Sequence, residues 1–191
     1  MIIGITGGTG CGKTTLLSLI ETHGGFVLDC DKIYHQLLQT DTTLLRSIEN
    51  RFPNTVQDGI LDRKKLGTVV FSDEKALSDL NSITHSAVKA EVLRQLKRKP
   101  KLAAIDAIGL FEGGLAELCD TTVAVTAPED IRIRRLMQRD GISERYAQKR
   151  IAAQHTEDWY KKRCQHILHN DGTMEQFQSK CLAFLQGLDI I

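Results

Sequence analysis

Residues 7 to 14 read Gly-Gly-Thr-Gly-Cys-Gly-Lys-Thr, which is the pattern G-x-x-x-x-G-K-[ST]. The apolar run Ile2-Ile3-Gly4-Ile5 precedes this loop, and a helix-compatible stretch from Thr14 to Glu21 follows it. A strand, a glycine loop and a helix in this order are the context in which the pattern, known as the P-loop, cradles phosphate groups. The alternative is a glycine turn that merely joins strand to helix. The complete eight-residue pattern in this context favours the phosphate site.

The chemistry expected of the loop follows from its residue types. Its glycines let the backbone approach a ligand closely, and successive N–H groups then face an anion together with the positive end of the helix. Lys13 is expected to reach the β- and γ-phosphates of a nucleotide, and Thr14 to offer its hydroxyl to Mg²⁺. Cys11 is either a thiol made reactive by nearby amides or a small filler in a tight loop.

Composition restricts the class of protein. A chain of 191 residues with 41% hydrophobic content suits one compact α/β domain. Its 25 basic and 24 acidic residues leave a net charge of +1, which gives no reason to expect a nucleic acid or an anionic membrane as partner. No run approaches the roughly 18–20 apolar residues of a membrane span, and no signal-peptide pattern is present. The five cysteines include no C-x-x-C pair, so we expect reduced thiols and a cytoplasmic protein.

Strand-like runs alternate with helical patterns along the chain. Strands are predicted at Ile2–Thr6, Phe26–Leu28, Leu102–Ile105, Thr121–Val125 and His166–Leu168. Helices are predicted near Thr14–His23, Lys32–Gln39, Glu74–Lys97, Asp130–Arg139, Ser143–Gln154 and Thr173–Leu185. Such alternation predicts an α/β fold made of parallel βαβ units. Ligands of these sheets bind beyond the carboxyl ends of the strands, so the residues there should converge.

The segment from Lys32 to Lys99 contains no clear core strand and is too long for a simple crossover. We interpret it as a helical insertion, with a turn at Gln57-Asp58-Gly59.

Acidic residues follow two of the predicted strands. Asp29 and Asp31 come after the second strand, where one carboxylate can cap the next helix and the other can accept a proton from a substrate hydroxyl. Asp106 ends the third strand and resembles the second acidic element of P-loop enzymes, which helps to hold Mg²⁺. The alternative for Asp106 is a turn or helix-capping residue.

Arginines crowd the helix predicted at Asp130–Arg139. Arg132, Arg135 and Arg139 are spaced by three and four and therefore share a face. A lid helix that closes over ATP would use such a face to neutralise the transferring phosphoryl group and exclude water. A solvated basic face is the alternative, and the P-loop favours the lid.

Two classes of function fit these features. One is a kinase that phosphorylates a small molecule or nucleotide, and the other is a nucleotide-binding regulatory switch. The chain has no N-K-x-D sequence for guanine recognition and no D-x-x-G after the second strand with the switch pattern. These absences, with the arginine-rich helix, favour the kinase.

The order of the motifs resembles the dephospho-CoA kinase family from Ile3 to about Phe184. The P-loop is followed by the D-x-D of Asp29 and Asp31 and by the stretch Leu80-Asn81-Ser82-Ile83-Thr84-His85, which is similar to the family's L-N-x-I-x-H. Asp58-Gly59 and Leu61-Asp62-Arg63 lie between the D-x-D and this stretch, and further similar elements follow it in order: Asp106 to Glu112, Arg135, Arg139-Asp140, Arg150 to Gln154, and Asn170 with Gly172.

The resemblance implies a P-loop NTPase-type three-layer α/β fold with a five-stranded parallel sheet, a helical substrate-binding insertion and a helical lid. It implies a single domain, residues 1–191, with its core at 1–31, 100–127 and 160–191, the insertion at about 32–99 and the lid at about 128–155. The implied reaction transfers phosphate from ATP to the ribose 3′-hydroxyl of dephospho-CoA, with Mg²⁺ as cofactor. The implied partners are these two small molecules alone, and the implied assembly is a monomer or weak homo-oligomer.

Roles can be carried over to matching positions. Asp31 becomes the catalytic base, assisted by Lys13 and Arg139, while Arg63 and His85 join Asp31 on the acceptor side. Thr14 and Asp106 become the Mg²⁺ residues. The implied ATP-binding residues are Gly8, Gly10, Cys11, Gly12, Lys13, Thr14, Thr15, Arg135 and Asn170.

The chain departs from the family pattern at four positions. Ile108 stands at the family's proline in D-x-P-L-L, and Gly109 follows where a leucine is usual. Ser86 stands at the proline that usually follows the histidine, and Arg132 stands at the lid helix's usual glutamine. None of these changes removes a group that the chemistry requires.

Overall fold

The computed structural model describes residues 1–190 and divides into two compact units. One unit comprises residues 1–27, 100–110 and 116–191, and the other comprises residues 28–99 and 111–115. Among residues 1–190, no helix is both long and apolar enough to cross a membrane.

The main sheet has five strands, in agreement with the prediction. They are β1 (Ile2–Thr6), β2 (Phe26–Asp29), β5 (Ala103–Asp106), β6 (Thr121–Thr126) and β7 (His166–His169), in the spatial order β2-β5-β1-β6-β7. β1 is parallel to both β5 and β6, and β6 is parallel to β7. The central strand β1 therefore ends between two neighbours that run the same way, and the glycine loop leaves the sheet from there.

Within the described residues 1–190, the first unit also contains five helices. They are α1 (Lys13–Thr22), α6 (Glu129–Asp140), α7 (Glu144–Ala152), α8 (Glu157–Lys161) and α9 (Met174–Gly187), with a short 3₁₀ turn at Ala116–Leu118. The apolar residues of β1 and β6 pack against α1 and α9, with Leu16, Ile20, Phe177 and Leu185 essentially inaccessible to solvent. α6 and α7 share a small apolar core of their own around Leu136, Ala147 and Ile151.

The second unit is mostly helical. It contains α2 (Cys30–Thr40), α3 (Thr42–Arg51), α4 (Arg63–Val70) and α5 (Glu74–Leu96), and α2, α3 and α4 all pack against α5. Aspartates begin all four of these helices: Asp29, Asp41, Asp62 and Asp73 each accept at least one hydrogen bond from a main-chain N–H of the first turn. Such caps satisfy amides that have no partner within the helix.

A two-stranded hairpin, β3 (Val56–Gln57) and β4 (Ile60–Leu61), also belongs to the second unit. The turn predicted at residues 57–59 joins its strands, and both Asp58 and Gly59 adopt positive φ. A two-residue connection with that conformation matches the twist of a hairpin. The strands themselves were not predicted, and neither were α3, α4 and α8.

Candidate active site

The glycine loop between β1 and α1 has the conformation of a phosphate cradle. Gly10 (φ 78°) and Gly12 (φ 96°) adopt left-handed conformations, which side-chain-bearing residues rarely take. Gly12 is the N-cap of α1, and no side chain caps that helix end. The amides at the start of α1 and the positive end of its dipole are therefore directed at the loop, as an anion site requires.

Lys13 and Thr14 stand at the first turn of α1. The Lys13 ammonium donates a hydrogen bond to the Gly7 carbonyl oxygen (3.0 Å), so the side chain folds back over the loop. Thr14 is exposed to solvent, and the Thr15 hydroxyl contacts the Met174 sulfur at 3.6 Å. A positive charge over the loop and an exposed hydroxyl beside it are groups that a nucleotide polyphosphate would engage.

Two side chains, those of Arg132 on α6 and of Gln154 just after α7, hold the main chain of Thr9 within the loop. The Arg132 Nε donates to the Thr9 carbonyl oxygen (2.9 Å), and the Thr9 N–H donates to Gln154 Oε1 (2.9 Å). The two side chains also meet, because Arg132 Nη2 donates to the same Gln154 oxygen (2.7 Å). Gln154 was not predicted as a site residue, and its only signal in the sequence was its place in the Arg150 to Gln154 element of the resemblance.

Arg135 and Asn170, both expected at the ATP site, converge on the same loop. Arg135 Nη1 donates to the Gly10 carbonyl oxygen (3.2 Å), and the Asn170 Nδ2 donates to that of Cys11 (2.8 Å). Arg135 Nη2 also donates to Asn170 Oδ1 (3.1 Å). Asn170 is 3% exposed, so this network is largely shielded from water.

Arg139 is oriented differently from the other two arginines of its face. It donates to Asp140 (2.7 Å), which also accepts from Arg150 (2.7 Å). Hydrogen bonding from Arg139, reinforced by Arg150, lowers the pKa of Asp140 to about 2. The Arg139 side chain is 60% exposed, and its described polar contacts are with this carboxylate and not with the loop.

Cys11 is 2% exposed, and burial raises the pKa of its thiol. The charges of Arg132 and Lys13 oppose this effect without reversing it. Main-chain hydrogen bonds at Ala127 and Gly8 also lower the thiol pKa, but burial outweighs them, so the net lowering that a reactive thiol would need is not found. A small residue filling a tight loop describes Cys11 better.

Asp106 ends β5 opposite Ile5, the penultimate residue of β1, so it lies at the edge of the sheet from which the loop leaves. Its carboxylate and the Thr14 hydroxyl offer oxygen atoms, the ligand type that Mg²⁺ prefers. Within residues 1–190, no group of three or more histidine, cysteine or acidic side chains could hold a metal. A Mg²⁺ site needs only a few protein oxygens, because this ion usually keeps several waters and takes further oxygens from substrate phosphates.

In the second unit, Asp29 and Asp31 have different surroundings. Asp29 is the N-cap of α2: it accepts from the Lys32 N–H (3.0 Å) and pairs with the Lys32 ammonium (3.2 Å). Asp31 is exposed in the first turn of α2. The capping role considered for one of the two aspartates therefore belongs to Asp29.

Arg63 and His85 also lie in the second unit. Arg63 Nη2 is 3.3 Å from His35 Nδ1. His85 lines a cavity of about 360 Å³ in α5, together with Glu74, Ser78, Asn81 and Glu112. The cavity is open and rich in polar groups, which suits a hydrogen-bonding small molecule better than an apolar one.

The phosphate-cradling loop follows the central strand of a parallel sheet, and arginines of α6 are hydrogen-bonded to it. These features together define a P-loop kinase of small molecules. The dephospho-CoA kinase family model matches residues 1–176. The chain is 34% identical to the dephospho-CoA kinase of Geobacillus kaustophilus, over 100% of this chain and 98% of that protein. It is 37% identical to that of Anaeromyxobacter dehalogenans, over 97% and 92%.

The solved structure of dephospho-CoA kinase from Campylobacter jejuni agrees with this match, with a TM-score of 0.68 at 26% identity over 98% of this chain and 96% of that one. The chain belongs to the dephospho-CoA kinase family. Its activity is the ATP-dependent phosphorylation of dephospho-CoA in coenzyme A biosynthesis. The family therefore decides between the two classes of function that the residues alone left open.

Proposed function

We propose that Asp31 is the general base that accepts the proton of the ribose 3′-hydroxyl of dephospho-CoA. The observation that carries this proposal is the division of roles between two neighbouring aspartates. Asp29 is engaged in capping α2, whereas Asp31 is exposed in the first turn of that helix. An exposed carboxylate that does not cap the helix is accessible to a substrate hydroxyl.

Replacing each aspartate by asparagine tests the assignment. Asp31→Asn should lower kcat by about 10²–10⁴, the usual contribution of a positioned base, with little change in KM for ATP. Asp29→Asn is the matched control, because asparagine caps a helix as well as aspartate does. Near-normal kcat in a folded Asp31→Asn protein would refute the role.

The proposed ATP site comprises the loop from Gly8 to Thr15 with Arg135 and Asn170. The support is the convergence of these two side chains on loop carbonyl oxygens. Lys13 is proposed to hold the β- and γ-phosphates, and Arg139 to neutralise charge on the transferring phosphoryl group. Arg139→Gln should lower kcat by about 10² or more, whereas Arg134→Gln, on the same helix, should not.

Thr14 and Asp106 are proposed to hold Mg²⁺, for which their oxygen donors are suited. When bound with ATP, the ion would shield the negative charge of the phosphate oxygens. Asp106→Asn should then raise the Mg²⁺ concentration that gives half-maximal activity. An unchanged half-maximal Mg²⁺ concentration in Asp106→Asn would refute the assignment of Asp106.

Arg63 and His85 are proposed to bind the acceptor. The support is the polar cavity beside His85. His85→Ala should raise KM for dephospho-CoA by about tenfold, the equivalent of one lost hydrogen bond, and leave KM for ATP unchanged. Ser86→Ala, at the adjacent position, is the control. Equal effects of both variants on the two KM values would contradict the assignment.

The remaining proposals concern organisation. We propose a single functional domain with a core at residues 1–31, 100–127 and 160–191, an acceptor-binding insertion at about 32–99 and a lid at about 128–155. A monomer or weak homo-oligomer that acts in the cytoplasm is also proposed. No nucleic acid or membrane partner is proposed, because the net charge of +1 supplies no strong attraction to either. Light scattering of the purified protein across a concentration series tests the assembly state.

A further inference from the structure

Arg132 differs from the other arginines of α6 in what it holds. Its guanidinium donates both to the Thr9 carbonyl oxygen (2.9 Å) and to Gln154 Oε1 (2.7 Å). The same Gln154 oxygen accepts from the Thr9 N–H (2.9 Å). Both polar groups of the Thr9 main chain are therefore engaged by a pair of side chains that are bonded to each other. We call Arg132 and Gln154 the Thr9 clamp.

The loop has no spare room around the clamp. A Cβ atom at Gly8 would overlap the Arg132 guanidinium and lie 2.8 Å from Gln154 Oε1. One at Gly10 would lie 3.0 Å from the Arg132 carbonyl oxygen. Thr9 itself is 8% exposed. The absence of a Cβ atom at Gly8 and Gly10 therefore leaves the space that the Thr9 clamp occupies beside the loop. This is in addition to any role that these glycines have in phosphate binding.

The orientation of the Thr9 peptide groups matters for the loop as a whole. Main-chain N–H groups form an anion cradle only when successive peptide planes are fixed, and mobile loop peptides would have to be ordered each time a ligand binds. Hydrogen bonds to a charged donor are also stronger than neutral ones. A clamp that fixes both groups of one residue therefore reduces the entropy lost when nucleotide binds.

The positive charge of Arg132 acts electrostatically on the loop residue Cys11. Among the groups that oppose the rise in the Cys11 thiol pKa, Arg132 comes first and Lys13 second. A cation so close to the cradle favours the binding of a polyphosphate, beyond what the clamp contributes by geometry.

We infer that Arg132, acting with Gln154, is a positioning residue that preorganises the phosphate-binding loop for nucleotide. This inference deepens the proposed function and rests on the ATP site assigned there. Arginine offers several donors in a rigid fork, which lets one side chain bridge a carbonyl oxygen and a second side chain.

The test compares variants of the full-length protein. Arg132→Gln removes the fork and the charge, and Arg132→Lys keeps the charge but not the fork. Arg134→Gln is the matched control, since Arg134 lies on the same helix, is 71% exposed and pairs only with Asp130 among the described ion pairs. Calorimetric titration with MgADP measures nucleotide affinity without acceptor, and steady-state kinetics give kcat and both KM values.

Arg132→Gln should weaken MgADP binding by about 10- to 100-fold, the scale of one charge-assisted hydrogen bond. KM for ATP should rise in parallel, while KM for dephospho-CoA stays within about twofold of wild type. Arg132→Lys should recover part of the affinity, and Arg134→Gln should bind as wild type does. A double-mutant cycle combines Arg132→Ala with Gln154→Ala. Arg132→Ala should reduce MgADP affinity clearly less in the Gln154→Ala background than in the wild-type protein.

Two results would overturn the inference. The first is an MgADP affinity within twofold of wild type in a folded Arg132→Gln protein. The second is an equal loss of MgADP affinity in Arg134→Gln, which would show that net charge alone accounts for the effect. If Arg132→Gln does not fold, the comparison of Arg132→Lys with wild type decides, because full affinity there would exclude a need for the fork. Failure of the wild-type protein itself to bind MgADP would instead refute the ATP site proposed above, a result that is distinguishable from a failure of the variants alone.

Discussion

Asn170→Ala should measurably destabilise the fold, because the Asn170 amide bridges two parts of the site. The amide donates to the Cys11 carbonyl oxygen (2.8 Å) and accepts from Arg135 Nη2 (3.1 Å). Its main chain is held separately, by a hydrogen bond from the Asn170 N–H to the Thr126 carbonyl oxygen (2.8 Å). The substitution therefore removes the side-chain bridge without releasing β7 from its neighbour.

The magnitude follows from the two hydrogen bonds. The neutral one to Cys11 contributes about 0.5–1.5 kcal/mol, and the charge-assisted one from Arg135 about 1.5–3 kcal/mol. Arg135 is only half-buried, so solvent screening favours the lower part of its range. We expect the free energy of unfolding to fall by about 2–3 kcal/mol in Asn170→Ala.

Urea unfolding without nucleotide measures this change, since bound ligand would add its own stabilisation. The slope of the free energy with urea should stay constant, so that the midpoint alone moves. Asn50→Ala, at an exposed position of α3, is the control and should shift stability by no more than about 0.5 kcal/mol. A loss below about 1 kcal/mol in Asn170→Ala, or full additivity with Arg135→Ala, would refute the reasoning.

Three further predictions concern other parts of the first unit. Gly8→Ala should weaken MgADP binding to at least the extent of Arg132→Gln, measured by calorimetry, because the added Cβ displaces the guanidinium. Leu185→Ala should lower the free energy of unfolding by about 2–5 kcal/mol in urea, because it leaves a cavity in the sheet-facing core. Asp140, held by Arg139, should titrate by NMR at a pKa of about 2. Because the folded-state pKa is lowered, the charged form of Asp140 should stabilise the protein fully above about pH 4, the pKa of an ordinary aspartate. This stabilisation should be lost as the pH falls through the folded-state pKa of about 2.

The strands of the main sheet could be predicted because each is a short apolar run bounded by glycine or polar residues. β1 matches its predicted bounds, and the other four strands differ at their ends by one residue. β7 was predictable only weakly. It lies at the edge of the sheet, where three of its four residues are half-buried and one is exposed, so its sequence shows less of the apolar pattern.

The elements that were missed are stabilised by capping and by tertiary packing. The strands β3 and β4 have two residues each, too few for any alternation pattern to be visible. α3 and α4 are short amphipathic helices whose apolar faces are buried against α5. Helices of this length are marginal by themselves, and most of their stability comes from such packing.

The sequence alone determined the phosphate loop, because its spacing of glycine, lysine and threonine encodes the local backbone conformation and the helix that follows. It also determined the alternation of strands and helices, because hydrophobic periodicity is a local property. Only the tertiary structure decided which partner each arginine of α6 has: Arg132 holds Thr9, Arg135 contacts Asn170, and Arg139 pairs with Asp140. The reason is physical, since residues on one helix face share a direction, but their partners come from chain segments far away in sequence.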